Sequence, residues 1–257
     1  MGTMPSDVEI LAALEASGEQ WQFRSRVGSH QYLRLYELTR RYIAAGSRVL
    51  DWGAANGHYS YFLTRSGYRA TGFSLYEEQT PEALRHDGYR LVVGDPSDPV
   101  TLPFGEGSFD AVASIGVLEH VRETGGNERG SLREICRVLR PGGVFLCFHL
   151  PNRYSWIDAV VRATRSSLSH VYRYTDRDID RLAHDADLEL LEAGRYALLP
   201  RNPLHALLPG PIARSERFAH FYDIADVSLG RLAPWICTNH YFVARHPSRS
   251  RPSGRPS

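Results

Sequence analysis

The chain has 257 residues, 30 basic against 29 acidic, for a formal net charge of +1. That length carries one large α/β domain or two small ones. The balance of charge excludes an overall basic field that would recruit nucleic acid, while leaving a local patch open. Cys136, Cys147 and Cys237 are scattered without metal-ligand spacing. Cys136 shares a helical apolar stripe and Cys147 lies in an apolar strand, which predicts core packing for both. The odd cysteine count and the lack of a signal peptide suit a reducing, cytoplasmic setting, and no apolar run reaches membrane-spanning length. Met1-Gly2-Thr3-Met4-Pro5-Ser6 fits a myristoylation pattern loose enough to recur by chance.

Residues 7–20 read as a polar helix with Val8, Leu11, Ala12 and Leu14 on a modest apolar side. A second helix over 31–45 carries Tyr32, Leu35, Tyr36 and Ile43 on one stripe, with Gly46 as its stop. Arg24, Arg26 and His30 fall between them, in a solvated linker or folded over a pocket. Residues 48–52 form an apolar strand that ends on Asp51 and Trp52 and breaks into Gly53-Ala54-Ala55-Asn56-Gly57; a helix follows over 58–66. Strand, glycine loop, helix is the first unit of an open α/β sheet, where ligands sit beyond the strand's carboxyl end. A carboxylate there suits a positively charged ligand and repels a pyrophosphate, so the stretch argues against NAD.

Strand 68–73 ends at Ser74, a weaker helix spans Thr80 to Arg85 with Pro81 in its first turn and Gly88 beyond it, and strand 89–93 is closed by Gly94-Asp95-Pro96. Strand 109–115 leads to a helix over 116–122 that carries Glu119-His120. Leu132, Ile135, Cys136 and Leu139 mark a helix over 131–140, stopped by Pro141-Gly142-Gly143. Val144 to Leu150 is near-continuously apolar, as a strand covered on both faces should be. Thr175 and Asp178 form a capping box opening helix 176–186. Leu188–Leu199 and Tyr241–Ala244 supply two final strands, and the Arg-, Ser- and Pro-rich tail over 246–257 is expected to be disordered. The alternation predicts a doubly wound, mostly parallel sheet.

Five stretches in order resemble the class I S-adenosylmethionine-dependent methyltransferases: Val49-Leu50-Asp51-x-Gly53-x-x-x-Gly57; Gly94-Asp95 with Leu102-Pro103-Phe104; Ser108-Phe109-Asp110-Ala111-Val112; Leu118-Glu119-His120-Val121; and Arg137-Val138-Leu139-Arg140-Pro141-Gly142-Gly143. The likeness runs from Ser47 to Leu150 and more faintly from His170 to Arg245. It implies a Rossmann-like seven-stranded sheet with an antiparallel last strand, and S-adenosylmethionine as cofactor with S-adenosylhomocysteine as product. The organisation expected is N-terminal helices over 1–46 covering the cofactor site, a methyltransferase domain over 47–245, and helical lid insertions at about 151–173 and 200–236.

Carried over by residue, the resemblance has Asp51 with the backbone of Gly53 and Ala55 hold the methionine end, and Gly57 permit close helix packing. Asp95 would accept from the adenine amino group beside Pro96, with the bare-turn reading of that dipeptide as alternative. Ser114, Ile115 and Gly116 would line the cofactor below the sulfonium. Ser74 stands where the family usually has an acid for the ribose hydroxyls; a serine makes one such bond, so either Glu77 or Glu78 reaches back or the ribose is held more loosely. Asp110 is expected to hydrogen-bond a turn.

Methyl transfer from a sulfonium is an in-line displacement in which orientation supplies most of the rate, and a hydroxyl acceptor gains from a base. His120 and His149 are the candidates, His120 with a pocket-wall alternative and His149 with that of a strand-end residue bonding a loop. Tyr172, Tyr174 and His240 are weaker ones. The Glu-x-x-Glu-His metal frame of some relatives reads Gly116-Val117-Leu118-Glu119-His120 here, so no metal is expected. The second insertion mixes Leu204, Leu207, Leu208, Phe218, Phe221, Tyr222, Leu229, Leu232 and Trp235 with Arg201, Arg214 and Arg217. It fits either a cover for a partly apolar acceptor with a polar or anionic end (a glycosylated or lipid-linked metabolite) or a lid or dimer contact. The reading is O-methylation of a small molecule by a monomer or homodimer, with no nucleic-acid partner. The alternatives are an RNA 2′-O-methyltransferase, a nicotinamide oxidoreductase and a non-catalytic cofactor-binding module.

Overall fold

The protein is described from a computed structural model covering residues 4–18, 21–77, 89–164, 169–202 and 204–248. Residues 1–3 of the N-terminal pattern, Glu78, the helix expected over Thr80–Arg85 and the tail over 249–257 lie outside these.

Seven strands form one sheet: β1 Arg48–Trp52, β2 Arg69–Ser74, β3 Arg90–Val93, β4 Phe109–Ile115, β5 Leu139–Pro151, β6 Glu189–Tyr196 and β7 Asn239–Arg245. Their order is β3-β2-β1-β4-β5-β7-β6. β7 runs antiparallel to both neighbours, and the pairs among β1 to β5 are parallel. The chain winds outward from β1 to β3 on one side and restarts at β4 on the other. The strand order therefore reverses between β1 and β4, and a crevice opens at their carboxyl ends.

Alternate residues of the central strands feed two cores, as the period of two requires. Leu50, Val112, Phe145 and Phe242 face helices α4 (Glu128–Val138) and α6 (Asp176–Asp185). Val49, Ala111, Leu146, Phe148 and Val243 face α1 (Asp7–Ser17), α2 (Arg26–Tyr42) and α3 (His58–Arg65), where Tyr36 and Phe62 stack with ring centroids 3.7 Å apart. The insertions hold α5 (Trp156–Ala163), α7 (Leu204–Leu207), α8 (Gly210–Ala213) and α9 (Glu216–Leu232). Among the described residues no helix is long and apolar enough to cross a membrane.

Several boundaries differ from the sequence reading. The second helix starts at Arg26, because the Ser25 hydroxyl accepts from the Gly28 N–H at 3.1 Å and caps it. Arg26 and His30 therefore sit in a helix rather than a linker, and His30 is buried. The helix expected over 116–122 shrinks to a tight turn at Leu118–His120, since Gly116 takes φ +68° and Val117 is not helical. Pro141-Gly142-Gly143 does not separate α4 from β5 but lies inside β5, beside a register shift against β4. Asp110 accepts from the Arg48 backbone N–H at 2.7 Å and from Arg140 at 2.6 Å, tying the start of β1 to that of β5. The tail is held at its first residue, where His246 pairs through its backbone with Gly142 and Gly143.

Candidate functional site

Asp51 is the penultimate residue of β1 and is 2% exposed. Its carboxylate accepts from the Ser60 hydroxyl of α3 at 2.7 Å. Burial pushes the carboxyl up to about 6, the Ser60 bond pulling the other way, so it is mainly ionised at neutral pH and carries a charge with little protein compensation. The loop after it turns back sharply: the Gly53 and Ala54 N–H groups both donate to the Phe73 carbonyl of β2 at 2.9 Å. Gly53 has φ +79°, and a Cβ there would stand 2.4 Å from Val117, so glycine is required twice over. Ala55 also takes a positive φ, 42°. Gly57 begins α3 without a side-chain cap.

Three cavities meet in the crevice. An inner one of about 340 Å³ is lined by Asp51, Gly53, Ala55, Ile115, Gly116, Glu119, His120 and His149, with Gln22, Gln31 and Tyr32 from the N-terminal helices. A second, about 220 Å³, shares Gly53, Ala55, Gly116 and His120 and runs past Ser74 between Phe73, Leu75, Pro99 and Val117. A third, about 560 Å³, shares Gln31, His170, Asn202, Thr238 and Asn239 with the inner one and is walled by Ile157, Val161, Ala197, Leu199 and Pro200. The result is one continuous cleft: an ionic centre with a narrow, mostly apolar arm on one side and a wider apolar chamber on the other.

Most residues expected at the site line this cleft. Gly57, Asp95, Pro96 and Ser114 do not. Asp95 is exposed and accepts from the Ser97 N–H at 2.8 Å and hydroxyl at 2.7 Å, the turn geometry of the bare reading, while Pro99 of the same loop faces the cavity. Ser114 is fully buried. Ser74 lines the narrow arm and accepts from the Tyr76 N–H at 3.4 Å; Glu77 is exposed and outside the lining.

The two candidate histidines hold opposite tautomers, assigned from their partners. His120 Nδ1 lies 3.0 Å from the Glu123 carboxylate, which only accepts, so Nδ1 carries a proton and Nε2 is the nitrogen left to hold a lone pair. His149 is the reverse. The Tyr196 hydroxyl accepts from the His149 backbone N–H at 3.0 Å and stands 2.7 Å from Nδ1, with the Asn239 amide also toward Nδ1 at 3.5 Å. Nδ1 is therefore an acceptor and Nε2 a donor. Burial, then the neighbouring His58 and His170, push the His149 imidazole down to about 3. A neutral ring whose lone pair is already used is a hydrogen-bond donor, not a base. In this arrangement His149 offers a proton through Nε2.

Sequence reasoning passed over Glu119 as a group in its own right, reading it only as half of a broken metal frame. It is 3% exposed, and burial pushes its carboxyl up to about 8, so it is neutral near pH 7. Tyr196 and Asn239, which set the His149 tautomer, sit far along the chain without any local motif. Among the described residues no group of three or more His, Cys, Asp or Glu could hold a metal ion.

The segment over 200–236 is anchored to α2 by charge. Arg201, 8% exposed, reaches Asp223 and Asp226 at 2.7 Å each and the Val27 carbonyl at 3.1 Å, and Asp223 also meets His30 Nδ1 at 2.7 Å. Arg201 is thus matched within the protein and is not held out to an anionic acceptor. Phe221, Leu232 and Trp235 face outward, so the chamber is covered by Leu199 and Pro200 rather than by α9.

Residues 50–147 match the family model for a methyltransferase domain. The chain is 30% identical over 198 residues to a methyltransferase of Streptomyces halstedii, covering 72% of this chain and 67% of that one. It is 33% identical over 106 residues to the 27-O-demethylrifamycin SV methyltransferase of Amycolatopsis mediterranei, there covering 39% of this chain and only 38% of the relative. The Burkholderia thailandensis 1,6-didemethyltoxoflavin-N1-methyltransferase, solved with its substrate and S-adenosylhomocysteine, superposes with a TM-score of 0.54 at 18% identity, covering 96% of this chain and 93% of that one; at that identity the likeness speaks for the fold.

Proposed function

Because the chain belongs to the class I S-adenosylmethionine-dependent methyltransferases, we propose that it methylates an oxygen of a small, largely apolar and uncharged molecule. The observation that carries this reading is the cleft, in which an ionic centre at Asp51 opens into an apolar chamber of about 560 Å³ where, among the described lining residues, Arg201 is the one guanidinium and is internally neutralised. The O-methylating relative from Amycolatopsis points the same way.

The residues present fit the cofactor. Asp51 is a buried carboxylate with room beside it for an ammonium, Gly53 keeps the loop open, and the narrow arm between Phe73, Leu75, Pro99 and Val117 suits a flat apolar ring. Ser74 and the Asp95 loop are the groups nearest the ribose and adenine roles; Ser74 supplies a single hydroxyl, and Asp95 would have to leave Ser97 to take part. When bound, S-adenosylmethionine supplies the methyl group and its own leaving group. The protein's work is to orient the acceptor, exclude water and remove a proton. His120, with Nδ1 held by Glu123, takes the acceptor's hydroxyl proton on Nε2.

Incubating the protein with isotopically labelled S-adenosylmethionine and a metabolite extract should yield a labelled, chloroform-extractable, uncharged methyl ether. Label confined to amines or RNA overturns the oxygen reading. Ser60→Ala, which strips Asp51 of its partner, should weaken cofactor binding about threefold to tenfold in calorimetry, the worth of one ordinary hydrogen bond.

A further inference from the structure

Among the residues lining the inner cavity, His58 Nδ1, Thr238 Oγ1, Glu119 Oε2 and His149 Nε2 are buried without a hydrogen-bond partner among the described residues. Two of these sit on different elements and near each other: Glu119, in the turn after β4, and His149, at the end of β5. Buried polar atoms are rarely left unsatisfied, because each forfeits the hydrogen bond it would make to water. The two side chains approach one backbone point through other atoms. A Cβ placed on Gly116 would lie 3.7 Å from Glu119 Oε1 and 3.8 Å from His149 Cβ. Gly116 has no side chain between them and takes φ +68°, with its N–H given to the Phe148 carbonyl at 2.9 Å.

Both atoms present a proton. His149 Nε2 does so because Tyr196 and Asn239 occupy Nδ1. Glu119 does so because its carboxyl is sealed in with no cation against it: Glu123 raises its proton affinity further, and His120 Nε2 stands 4.0 Å from Oε1, beyond hydrogen-bond reach. Two donor side chains that line one low-dielectric cavity can together receive an oxygen that accepts twice, once the side chains turn toward it. They do not suit an ammonium or a sulfonium. His120, the proton acceptor, stands beside them, so one side of the cavity takes a proton while the adjacent side gives two hydrogen bonds.

We propose that Glu119 and His149 form a carbonyl-binding niche for the methyl acceptor, so that the preferred acceptors are hydroxyl compounds with a carbonyl next to the hydroxyl: enols of dicarbonyl compounds, hydroxyquinones or ortho-acyl phenols. This rests on the methyltransferase reading and narrows it. The hydroxyl proton goes to His120 Nε2, the hydroxyl oxygen forms the new bond to the methyl carbon as the carbon–sulfur bond breaks, and the neighbouring carbonyl stays in the niche. Holding that carbonyl also draws charge from the hydroxyl oxygen, which makes its proton easier to remove.

The test uses the complex of the full chain with S-adenosylhomocysteine and two probes of nearly equal shape, ortho-hydroxyacetophenone and ortho-ethylphenol, titrated by calorimetry. The wild type should bind the carbonyl probe about tenfold more tightly. Glu119→Gln, whose amide still donates, should keep most of that preference. Glu119→Leu and His149→Phe should each remove it while leaving affinity for S-adenosylhomocysteine within about twofold. Equal binding of the two probes by the wild type, or no measurable binding of either, overturns the niche. So does a preference that survives in Glu119→Leu, or a loss of S-adenosylhomocysteine affinity in step with it. Failure of the wild type to bind S-adenosylhomocysteine at all would instead sink the parent reading.

Discussion

Asp51→Asn is expected to weaken S-adenosylmethionine binding by roughly a hundredfold, about 3 kcal/mol, the usual cost of removing one charge from a buried ion pair. The asparagine keeps the shape and the Ser60 contact, so the loss reads the charge alone. The same variant should melt higher than the wild type when no cofactor is present. A carboxyl pushed from 3.8 up to about 6 by burial is one whose ionised form the empty fold disfavours. The folded chain binds this proton more tightly than the unfolded chain, so its contribution to stability is fully present below about 4 and is lost as pH rises through about 6. Cofactor affinity should move the other way, falling as pH drops below about 6 because the charged form is the one that binds. Calorimetry and thermal melts over pH 5 to 8 check both limbs. A variant that binds normally, or that melts lower without cofactor, would remove Asp51 from the role proposed for it.

His120→Ala is expected to lower kcat by roughly 10²- to 10⁴-fold, the usual range for a positioned base, with cofactor affinity unchanged. Glu123→Gln should cost roughly tenfold by the same route, since a neutral amide oxygen holds the Nδ1 proton more weakly than a carboxylate and its NH2 group can turn toward the ring instead. The two effects should not add, because both act through one lone pair on Nε2. His149→Phe, by contrast, should weaken acceptor binding more than it slows turnover at saturation. Full activity in His120→Ala with an acceptor whose hydroxyl does not ionise near neutral pH would leave the proton transfer to solvent. Turnover against saturation kinetics in the three variants makes the distinction.

The alternation of strands and helices and the Asp51 loop were legible because they rest on short-range signals: apolar runs of strand length, a carboxylate at a strand tip and small residues where backbones approach. The same local logic misplaced the start of α2. Ser25 and Gly28 look like linker residues until the cap between them is seen. It also overextended the turn at Leu118–His120, where one left-handed glycine outweighs the helical look of its neighbours. The roles of the histidines were not legible at all. Whether His149 gives or takes a proton depends on Tyr196 and Asn239, 47 and 90 residues away in the chain, and no spacing rule reaches that far. Arg201 looked available for an anion because its two aspartates lie a helix away in sequence and only folding joins them.

That last arrangement bears on how such enzymes can be re-engineered. The segment over the acceptor chamber cannot be transplanted by itself. A graft that takes residues 200–236 but leaves α2 behind strands Asp223 without its His30 partner and Arg201 without the Val27 carbonyl, so the recipient must accept both pieces or neither.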